Sequence, residues 1–281
     1  MRRVLLGILG LALCAASASA QTTDEIISKY LKAIGGMETL QTIKSTRSVG
    51  QFNGGGGFEA VVIEEHKRPN MVREEFALQG LTGVNAYDGQ TGWKIEPWNG
   101  KKDPEPLGEE EMKSILEDAD FDGPLVNYQE KGNRVEFVGM DQFEGTDAYK
   151  LKVTQKNGDE RYYFMDTDTY VPIKIEIKRF VRGAPQEYEI ALGDYKRVTG
   201  VYMPFSIESG PKGSQNRSKV TWQKIEANVP LNDNRFTKPV PGATTPRQPQ
   251  GDEQDAAKTL PKKDDSKQPP AKKEPPARKP R

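Results

Sequence analysis

Between residues 161 and 208, apolar and polar residues alternate along several short segments of the chain. Ile173, Ile175 and Ile177 alternate with lysine and glutamate, and the same period of two recurs over residues 188–192. This period is typical of a strand with one buried face. The connecting segments are too short for a parallel crossover, which needs a dozen or more residues. The pattern therefore predicts an up-and-down antiparallel meander whose sheet has one apolar and one charged face.

Further strands are predicted within this region and on both sides of it. They cover residues 47–52, 58–66, 71–78, 81–87, 93–96, 135–138, 149–153 and 203–207. The last predicted strand, residues 219–229, carries Val220 and Trp222 on one side but Ile225 on the other. A change of side within one strand predicts a β-bulge, which inserts an extra residue. Roughly ten strands are thus predicted in all.

Two amphipathic helices accompany the predicted strands. The first covers residues 22–34, where Thr22 and Glu25 have the spacing of a capping box. The second covers residues 109–119 and begins with three glutamates, which are favourable at the positive end of a helix. Its apolar positions follow the i, i+3, i+4, i+7 spacing and are Met112, Ile115, Leu116 and Ala119. Each helix is therefore expected to place one apolar face on the sheet.

Both ends of the chain are expected to lie outside the folded domain, which covers residues 21–238. Residues 1–20 have the features of a cleaved signal peptide, with two arginines, a short apolar core and the Ala18-Ser19-Ala20 cleavage pattern. This predicts secretion into the periplasm. Acylation of Cys14 is the alternative, but Leu13 stands where a lipobox has a small residue. Residues 239–281 are rich in proline and charge and are expected to form a disordered tail.

The charge distribution argues against one class of function. The tail from residue 247 to the end has ten basic and six acidic residues, whereas the body between signal peptide and tail has 29 basic and 35 acidic residues. A body with a net charge of −6 lacks the basic face that nucleic-acid binding requires. The tail, at +4, suits either weak contact with an anionic membrane surface or plain solubilisation.

Few residues indicate catalysis or metal binding, and no cofactor is implied. His66, the one histidine, stands at a predicted strand end among charged residues and is interpreted as a surface residue. Residues 118–123 contain three aspartates and a glycine spaced as in the first half of an EF-hand loop. Gln129 stands where the bidentate glutamate belongs, so a helix-end loop is preferred to a calcium site. Paired carboxylates for glycoside hydrolysis stay open, because sequence spacing does not reveal them.

The large apolar residues indicate an apolar ligand instead. Two thin helices can cover only part of the predicted sheet face, and each large side chain left uncovered forgoes about 1.5–3 kcal/mol of burial energy. A bound ligand or a lid would recover this energy. The candidate ligand-binding residues are Arg68, Phe76, Trp93, Ile95, Met112, Ile115, Leu116, Phe164 and Phe205.

Two motifs resemble those of the LolA/LolB-like family of outer-membrane lipoprotein carriers. One is Lys67-Arg68-Pro69-Asn70 at a strand end, and the other is Asp88-Gly89-Gln90-Thr91-Gly92-Trp93 on the next hairpin. The resemblance extends over roughly residues 23–236. It implies a mainly β fold with α-helices, an unclosed antiparallel β half-barrel with an N-terminal helix and a lid helix over its concave apolar face. Arg68 matches the family arginine that helps to fasten the lid.

The same resemblance implies a function without catalysis. The protein would hold the acyl chains of lipoproteins, or another lipid, and sort them toward the outer membrane. Its partners would be an inner-membrane exporter and an outer-membrane acceptor. Two alternatives remain open: an envelope-stress sensor domain of the same fold, and a carboxylate-based hydrolase of envelope glycans.

Overall fold

The computed structural model describes residues 22–240, except residue 56 and residues 182–183. The predicted signal peptide, with Cys14, and the predicted tail beyond residue 240 lie outside the described residues. The chain divides into two compact units. Unit 1 falls within Met1–Lys44 and Asp120–Arg217, and unit 2 within Ser45–Ala119 and Ser218–Arg281. Within the described part of the chain, no helix is both long and apolar enough to cross a membrane.

The described residues form three α-helices and thirteen strands. The helices are α1 (Thr23–Ala33), α2 (Met37–Thr42) and α3 (Glu109–Asp118). The strands are β1 (Ser45–Asn53), β2 (Glu59–Lys67), β3 (Met71–Leu78), β4 (Leu81–Tyr87), β5 (Gly92–Ile95), β6 (Glu105–Pro106), β7 (Arg134–Phe143), β8 (Thr146–Thr154), β9 (Glu160–Asp166), β10 (Pro172–Val181), β11 (Ala184–Val198), β12 (Val201–Pro211) and β13 (Ser218–Ala227). Short 3₁₀ helices cover Pro97–Asn99 and Asp233–Arg235.

Unit 1 is an antiparallel sheet covered by α1. Its strands follow the order β12-β11-β10-β9-β8-β7, so each strand pairs with its neighbour in sequence. The predicted meander is therefore confirmed. At the start of α1, the Glu25 N–H donates to the Thr22 hydroxyl at 3.2 Å, and the Thr22 N–H donates to the Glu25 carboxylate at 3.0 Å. The predicted capping box is confirmed as well.

The apolar face of unit 1 is filled by its own side chains. Ile26 and Ile27 of α1 are almost completely buried there. They pack in one cluster with Leu125, Val135, Leu151, Val153, Tyr163, Met165, Ile175 and Ile177. Burying a side chain of this size contributes about 1.5–3 kcal/mol. This face is therefore a continuous hydrophobic core.

In unit 2 the antiparallel strands follow the order β6-β5-β4-β3-β2-β1-β13. The pairing of β1 with β13 shifts between Val49 and Gly50, because Gln223 is inserted in β13 between the residues that face them. The predicted β-bulge is therefore confirmed. Side chains alternate across the sheet, and α3 packs on the side that carries Val72 and Tyr87. We call this side the α3 face and the other side the opposite face.

The opposite face of unit 2 is covered by the C-terminal segment, residues 228–236. Trp93 is 1 % exposed on this face, and its indole N–H donates to the Phe236 carbonyl at 2.7 Å. Phe236 and Leu231 are themselves buried. At the start of the segment, the Ser45 hydroxyl donates to the Val229 carbonyl at 2.6 Å. The segment therefore forms part of the core of unit 2.

A buried ionic network joins this segment to the sheet. Arg235 lies 2.7 Å from Glu65 and 3.3 Å from Glu75. Arg47 completes the contacts of Glu65 at 3.2 Å, and Arg73 contacts Glu75 at 2.7 Å. Glu65 is 1 % exposed, so its charge depends on these arginines for the solvation that water would otherwise provide.

The predicted fold class is confirmed. The described chain is mainly β, its antiparallel strands do not close into a barrel, and it has few helices. Two local differences have physical causes. β7 continues to Phe143 beyond the predicted residues 135–138, because a bulge inserts Val138 between Phe137 and Gly139, which has a φ of +123°, and the following residues keep pairing with β8. Glu105–Pro106, predicted as a break, pairs with β5 as a two-residue edge strand, a position that proline tolerates.

Candidate functional site

The α3 face of unit 2 is organised in rows that run across the strands. The first row lies beneath α3 and consists of His66, Val72, Tyr87 and Gly92. The second, which we call the polar row, consists of Glu64, Glu74, Asn85 and Lys94. The third contains Val62, Phe76 and Gly83. Apolar, polar and again apolar side chains thus follow one another along the strands.

α3 packs on the first row, and an ion pair joins its first turn to the polar row. Ile115 and Ala119 form a buried cluster with Val72 and Tyr87. At the other end of the helix, Met112 and Leu107 lie so close to Gly92 that a Cβ there would be 2.8 Å and 2.7 Å from their methyl groups.

The ion pair joins the first turn of α3 to β5. Lys94 Nζ lies 2.5 Å from Glu111 Oε1, and the Gly108 N–H donates to the other oxygen of Glu111 at 2.8 Å. The lysine lowers the pKa of Glu111, and the glutamate raises the pKa of Lys94. The N-terminal end of α3 is therefore fixed by an attractive contact.

The polar row carries carboxyl groups in an unusual environment. His66 Nε2 lies 2.8 Å from Glu64 Oε1, and Glu74 faces Asn85 across the strands. Burial raises the pKa of Glu74 to about 8, the charges of Asp118 and Glu64 contribute in the same direction, and the charge of His66 and a hydrogen bond with Asn85 oppose them. The protonated form of Glu74 is therefore favoured near neutral pH, opposite Glu64, which contacts His66.

The electrostatics of His66 follow from the same neighbours. Burial alone would lower its pKa, but the charge and hydrogen bond of Glu64, followed by the charges of Asp118 and Glu74, raise the pKa above its usual range. The interpretation of His66 as a surface residue is wrong. Its side chain is only 16 % exposed, because position 66 shares the α3 face with Val72, next to which α3 packs.

An aromatic patch occupies the end of the α3 face away from α3. It consists of Phe52, Phe58, Phe76, Leu81 and Trp98. Phe52 makes edge-to-face contacts with Phe58 and Phe76, each with ring centroids 5.8 Å apart. Trp98 lies directly on Gly83, where a Cβ would be 2.1 Å from the indole. Phe58, Leu81 and Trp98 are each exposed by 42–46 %, so the patch presents apolar surface to solvent.

The structure separates the predicted ligand-binding residues. Phe76 lies in the aromatic patch, and Met112 and Ile115 connect α3 to the sheet. Leu116 is on α3 but is 45 % exposed. Trp93 and Ile95 lie on the opposite face, where Trp93 contacts the C-terminal segment. They are thus positioned as core residues, away from α3.

The remaining predicted residues lie elsewhere. Phe164 and Phe205 are buried in unit 1, with the ammonium of Lys150 4.6 Å from the first ring and that of Lys196 4.6 Å from the second. Arg68 is half-buried in the turn between β2 and β3. Its predicted role in fastening a lid stays a prediction.

The aspartate-rich loop after α3 is closed by a lysine. Lys131 Nζ lies 2.6 Å from one oxygen of Asp120 and 2.8 Å from the other, and it donates to the Gly123 carbonyl at 2.6 Å. This ammonium neutralises the loop. In the described ranges, no group of three or more histidine, cysteine or acidic residues is arranged to hold a metal ion.

Unit 1 has a cleft of about 420 Å³ on the side of its sheet that carries Glu189 and Ala191. Arg217 crosses the cleft and contacts Glu189 at 2.5 Å and Glu208 at 2.7 Å. The cleft is therefore polar and occupied by its own ion pairs, which makes it a poor site for an acyl chain.

The fold resembles those of solved structures. A LolA superfamily protein from Nitrosomonas europaea matches with a TM-score of 0.52 and 14% identity over 78% of this chain and 99% of the other. A DUF1329 family protein from Desulfovibrio piger matches with a TM-score of 0.52 and 13% identity over 76% of this chain and 96% of the other. A domain of a putative outer-membrane lipoprotein-sorting protein from Vibrio parahaemolyticus matches with a TM-score of 0.51 and 12% identity over 76% of this chain and 95% of the other.

These likenesses establish the fold, and the resemblance to LolA-type carriers is confirmed at that level. A family model described only as an uncharacterized protein matches residues 118–240, which is less than half of the chain. No curated protein matches the sequence. The chain therefore has a fold similar to that of these structures, and its function has to be inferred from its own residues.

Proposed function

We propose that this protein is a non-enzymatic binding protein of the bacterial envelope that holds an acyl chain against the α3 face of unit 2, with α3 as its lid. The aromatic patch carries this proposal. Phe58, Leu81 and Trp98 expose apolar surface at the same end of this face, and each forgoes a little under half of the about 1.5–3 kcal/mol that complete burial of such a side chain contributes. An acyl chain laid across the patch would provide that burial without a polar partner.

The location of α3 supports the role of a lid. It covers the row adjacent to the polar row, its buried residues are Ile115 and the C-cap residue Ala119, and its first turn pairs with Lys94. An element with few buried contacts opens at a lower free-energy cost than a core element. Phe76 would then contact the ligand in the patch, Met112, Ile115 and Leu116 would contact it from the lid, and Arg68 would act at the fastening of the lid.

The biological setting belongs to the same proposal. The signal-like residues 1–20 and the LolA-superfamily fold favour a periplasmic carrier that receives lipoprotein acyl chains, or another lipid, and passes them toward the outer membrane. An inner-membrane exporter and an outer-membrane acceptor would be its partners. The basic tail would add weak contact with anionic membranes.

A fluorescent fatty-acid probe tests the site directly. Phe58→Ser and Trp98→Ala should each weaken probe binding several-fold while leaving the melting temperature almost unchanged, because both side chains are already about half exposed. The matched control is Phe180→Ser, which removes a 69 % exposed phenylalanine from unit 1 and should leave probe binding intact.

The result that would overturn the proposal is equally direct. Equal affinity of the wild type, both patch variants and the Phe180 control would remove the aromatic patch from any lipid site. Mass spectrometry of lipids that co-purify with the wild-type protein then distinguishes acyl cargo from a ligand of another class.

A hydrolase is the second candidate, and one observation favours it. Glu74 has a raised pKa and stands beside Glu64, which is the environment that separates a general acid from a carboxylate base. Turnover of envelope glycans by the wild type, abolished in Glu74→Gln, would favour this function. Lipid in the purified protein without such turnover would favour the carrier.

A further inference from the structure

The cleft of unit 1, with a volume of about 420 Å³, has a floor of small residues. Ala191 and Gly193 of β11 and Ser206 of β12 lie on the same side of the sheet, because Gly193 pairs with Ser206 and is two positions from Ala191. A Cβ at Gly193 would meet none of the surrounding described atoms within 4 Å, so the space above this position is open. The cleft is therefore large enough and open enough for a small-molecule ligand.

Two connections between strands complete the lining of the cleft. The end of the β7–β8 hairpin contributes Phe143 and Glu144, and the connection from β12 to β13 contributes Ser214 and Gln215. The centroid of the Phe143 ring lies 5.4 Å from the ammonium of Lys174 on β10. Since β8 and β9 separate β7 from β10 in the sheet, the hairpin end must curl over the sheet face to bring this ring to the cleft.

The charged groups of the cleft hold one another in fixed orientations. Arg217 donates through Nη1 to Glu189 at 2.5 Å and through Nε to Glu208 at 2.7 Å. Lys174 lies 3.2 Å from the second oxygen of Glu189. Burial alone would raise the pKa of Glu189, but the hydrogen bonds and charges of Lys174 and Arg217 hold it below its usual range. Planar carboxylates and a guanidinium are thus positioned at the cleft before any ligand arrives.

The balance of charge indicates an uncharged ligand with many hydroxyl groups. The two buried-side carboxylates are matched by an arginine and a lysine, and the exposed Glu144 disfavours an anion. Carboxylate oxygens accept hydrogen bonds, the guanidinium donates them, and the hydroxyls of Ser206 and Ser214 do both. Phe143 adds an apolar ring. A sugar matches this lining, because its hydroxyl groups donate and accept while the faces of its ring carry C–H groups.

We propose that the cleft of unit 1 binds a neutral hexose or N-acetylhexosamine unit of a glycan. The hydroxyl groups of the sugar bond to Arg217, Glu189 and Glu208, and one face of its ring lies on Phe143. This polar site is additional to the acyl-chain site proposed on unit 2. The two sites share no residue, so either can fail its test without affecting the other.

Titration of nitrogen-labelled protein with neutral sugars, followed through its backbone amide signals, tests the site. The sugars are glucose, galactose, mannose and N-acetylglucosamine. We expect at least one of them to shift the signals of Gly193, Ser206 and Gln215 with a dissociation constant on the order of 1 mM, as suits a ligand of this size in an open cleft. If none of the sugars shifts these signals at several times that concentration, the proposal is wrong.

Matched variants connect the binding to the cleft. Gly193→Leu should weaken binding at least about tenfold by filling the cleft, at an almost unchanged melting temperature because the new Cβ enters open space. The control is Ala184→Leu, at the exposed start of the same strand, which should retain wild-type affinity. Gln215→Ala, at an exposed loop position, should weaken binding several-fold and decides the matter if Gly193→Leu does not fold. Wild-type affinity in both cleft variants would overturn the proposal.

Discussion

The two faces of the sheet in unit 2 treat buried charge in opposite ways. On the opposite face, Glu65 and Glu75 are matched with three arginines and covered by the C-terminal segment. On the α3 face, Glu74 lies near other carboxyl groups, and burial together with their charges raises its pKa, which favours its protonated form. The first arrangement is stable over a wide pH range because arginine does not lose its charge. The second depends on pH, so the same strands carry a permanent face and a variable one.

The apolar residues show the same division. Trp93 and Phe236 on the opposite face are almost completely buried and joined by a 2.7 Å hydrogen bond. Trp98 and Phe58 on the α3 face are exposed by 46 % and 45 %. A sheet that is sealed on one side can leave the other side open for a ligand without losing its fold. Variants directed at one face at a time therefore test whether stability and binding are separate.

The largest effect is expected on the opposite face. Glu65→Gln should lower the free energy of unfolding by about 3–5 kcal/mol, because it leaves Arg47 and Arg235 buried without their shared carboxylate. Urea unfolding provides the measurement. The control is Glu226→Gln, whose pair with Lys224 is largely exposed and should contribute less than about 1 kcal/mol. Similar losses in the two variants would contradict the permanent character of the network.

A smaller effect on unfolding is expected when α3 is loosened. Leu151→Ala in the core of unit 1 should cost about 2–5 kcal/mol, the usual range for a fully buried aliphatic residue. Ile115→Ala, although Ile115 is also buried where α3 packs on the sheet, should cost only about 1 kcal/mol globally, because the helix can detach while the sheet stays folded. Protease sensitivity of α3 should rise in the second variant alone. An equal global cost would mean that α3 is part of the core.

The elements that sequence predicts well here are those whose signal is local. The capping box of Thr22 and Glu25, the meander of β9 to β12 and the bulge at Gln223 each follow from residues a few positions apart. The two motifs around Arg68 and Trp93 likewise lead to the correct fold.

What local signals do not contain is the identity of the neighbours across the sheet. Trp93 looks like a ligand contact because it is large and apolar, but the covering group is Phe236, which is 143 residues away in sequence. His66 looks exposed beside charged residues, yet strand register places it next to Val72 and close to α3. Glu74 gives no signal on its own, since its raised pKa arises from burial and from the charges of Asp118 on α3 and Glu64 on β2. The alternation of residues in the sequence shows which side of a strand each residue occupies. It does not show which element covers that side.

A moderate effect on binding, with little effect on stability, is expected at Gly83. In Gly83→Ala the new methyl would lie 2.1 Å from the indole of Trp98, so the ring must leave the sheet. Because Trp98 is already half exposed, the free energy of unfolding should fall by about 1 kcal/mol or less, but affinity for the fatty-acid probe should drop several-fold. Gly193→Ala, where a Cβ meets nothing within 4 Å, is the control and should preserve probe affinity. Unchanged affinity in Gly83→Ala would separate Trp98 from the ligand site.

The smallest effect on stability, and the most specific on kinetics, is expected in the turn between β2 and β3. Lys67 belongs to the permanent face, since its ammonium contacts the Leu231 carbonyl at 2.7 Å and Asp233 at 2.5 Å. Lys67→Met should therefore lower the melting temperature by a few degrees without changing probe release. Arg68, by its resemblance to the lid-fastening arginine, should belong to the variable face.

Arg68→Leu is accordingly expected to accelerate release of the probe two- to fivefold at an almost unchanged melting temperature, as measured by stopped-flow competition with unlabelled fatty acid. The two adjacent residues thus provide the finest test of the division between the faces. If Arg68→Leu lowers the melting temperature as much as Lys67→Met and leaves the release rate unaltered, Arg68 serves the fold alone.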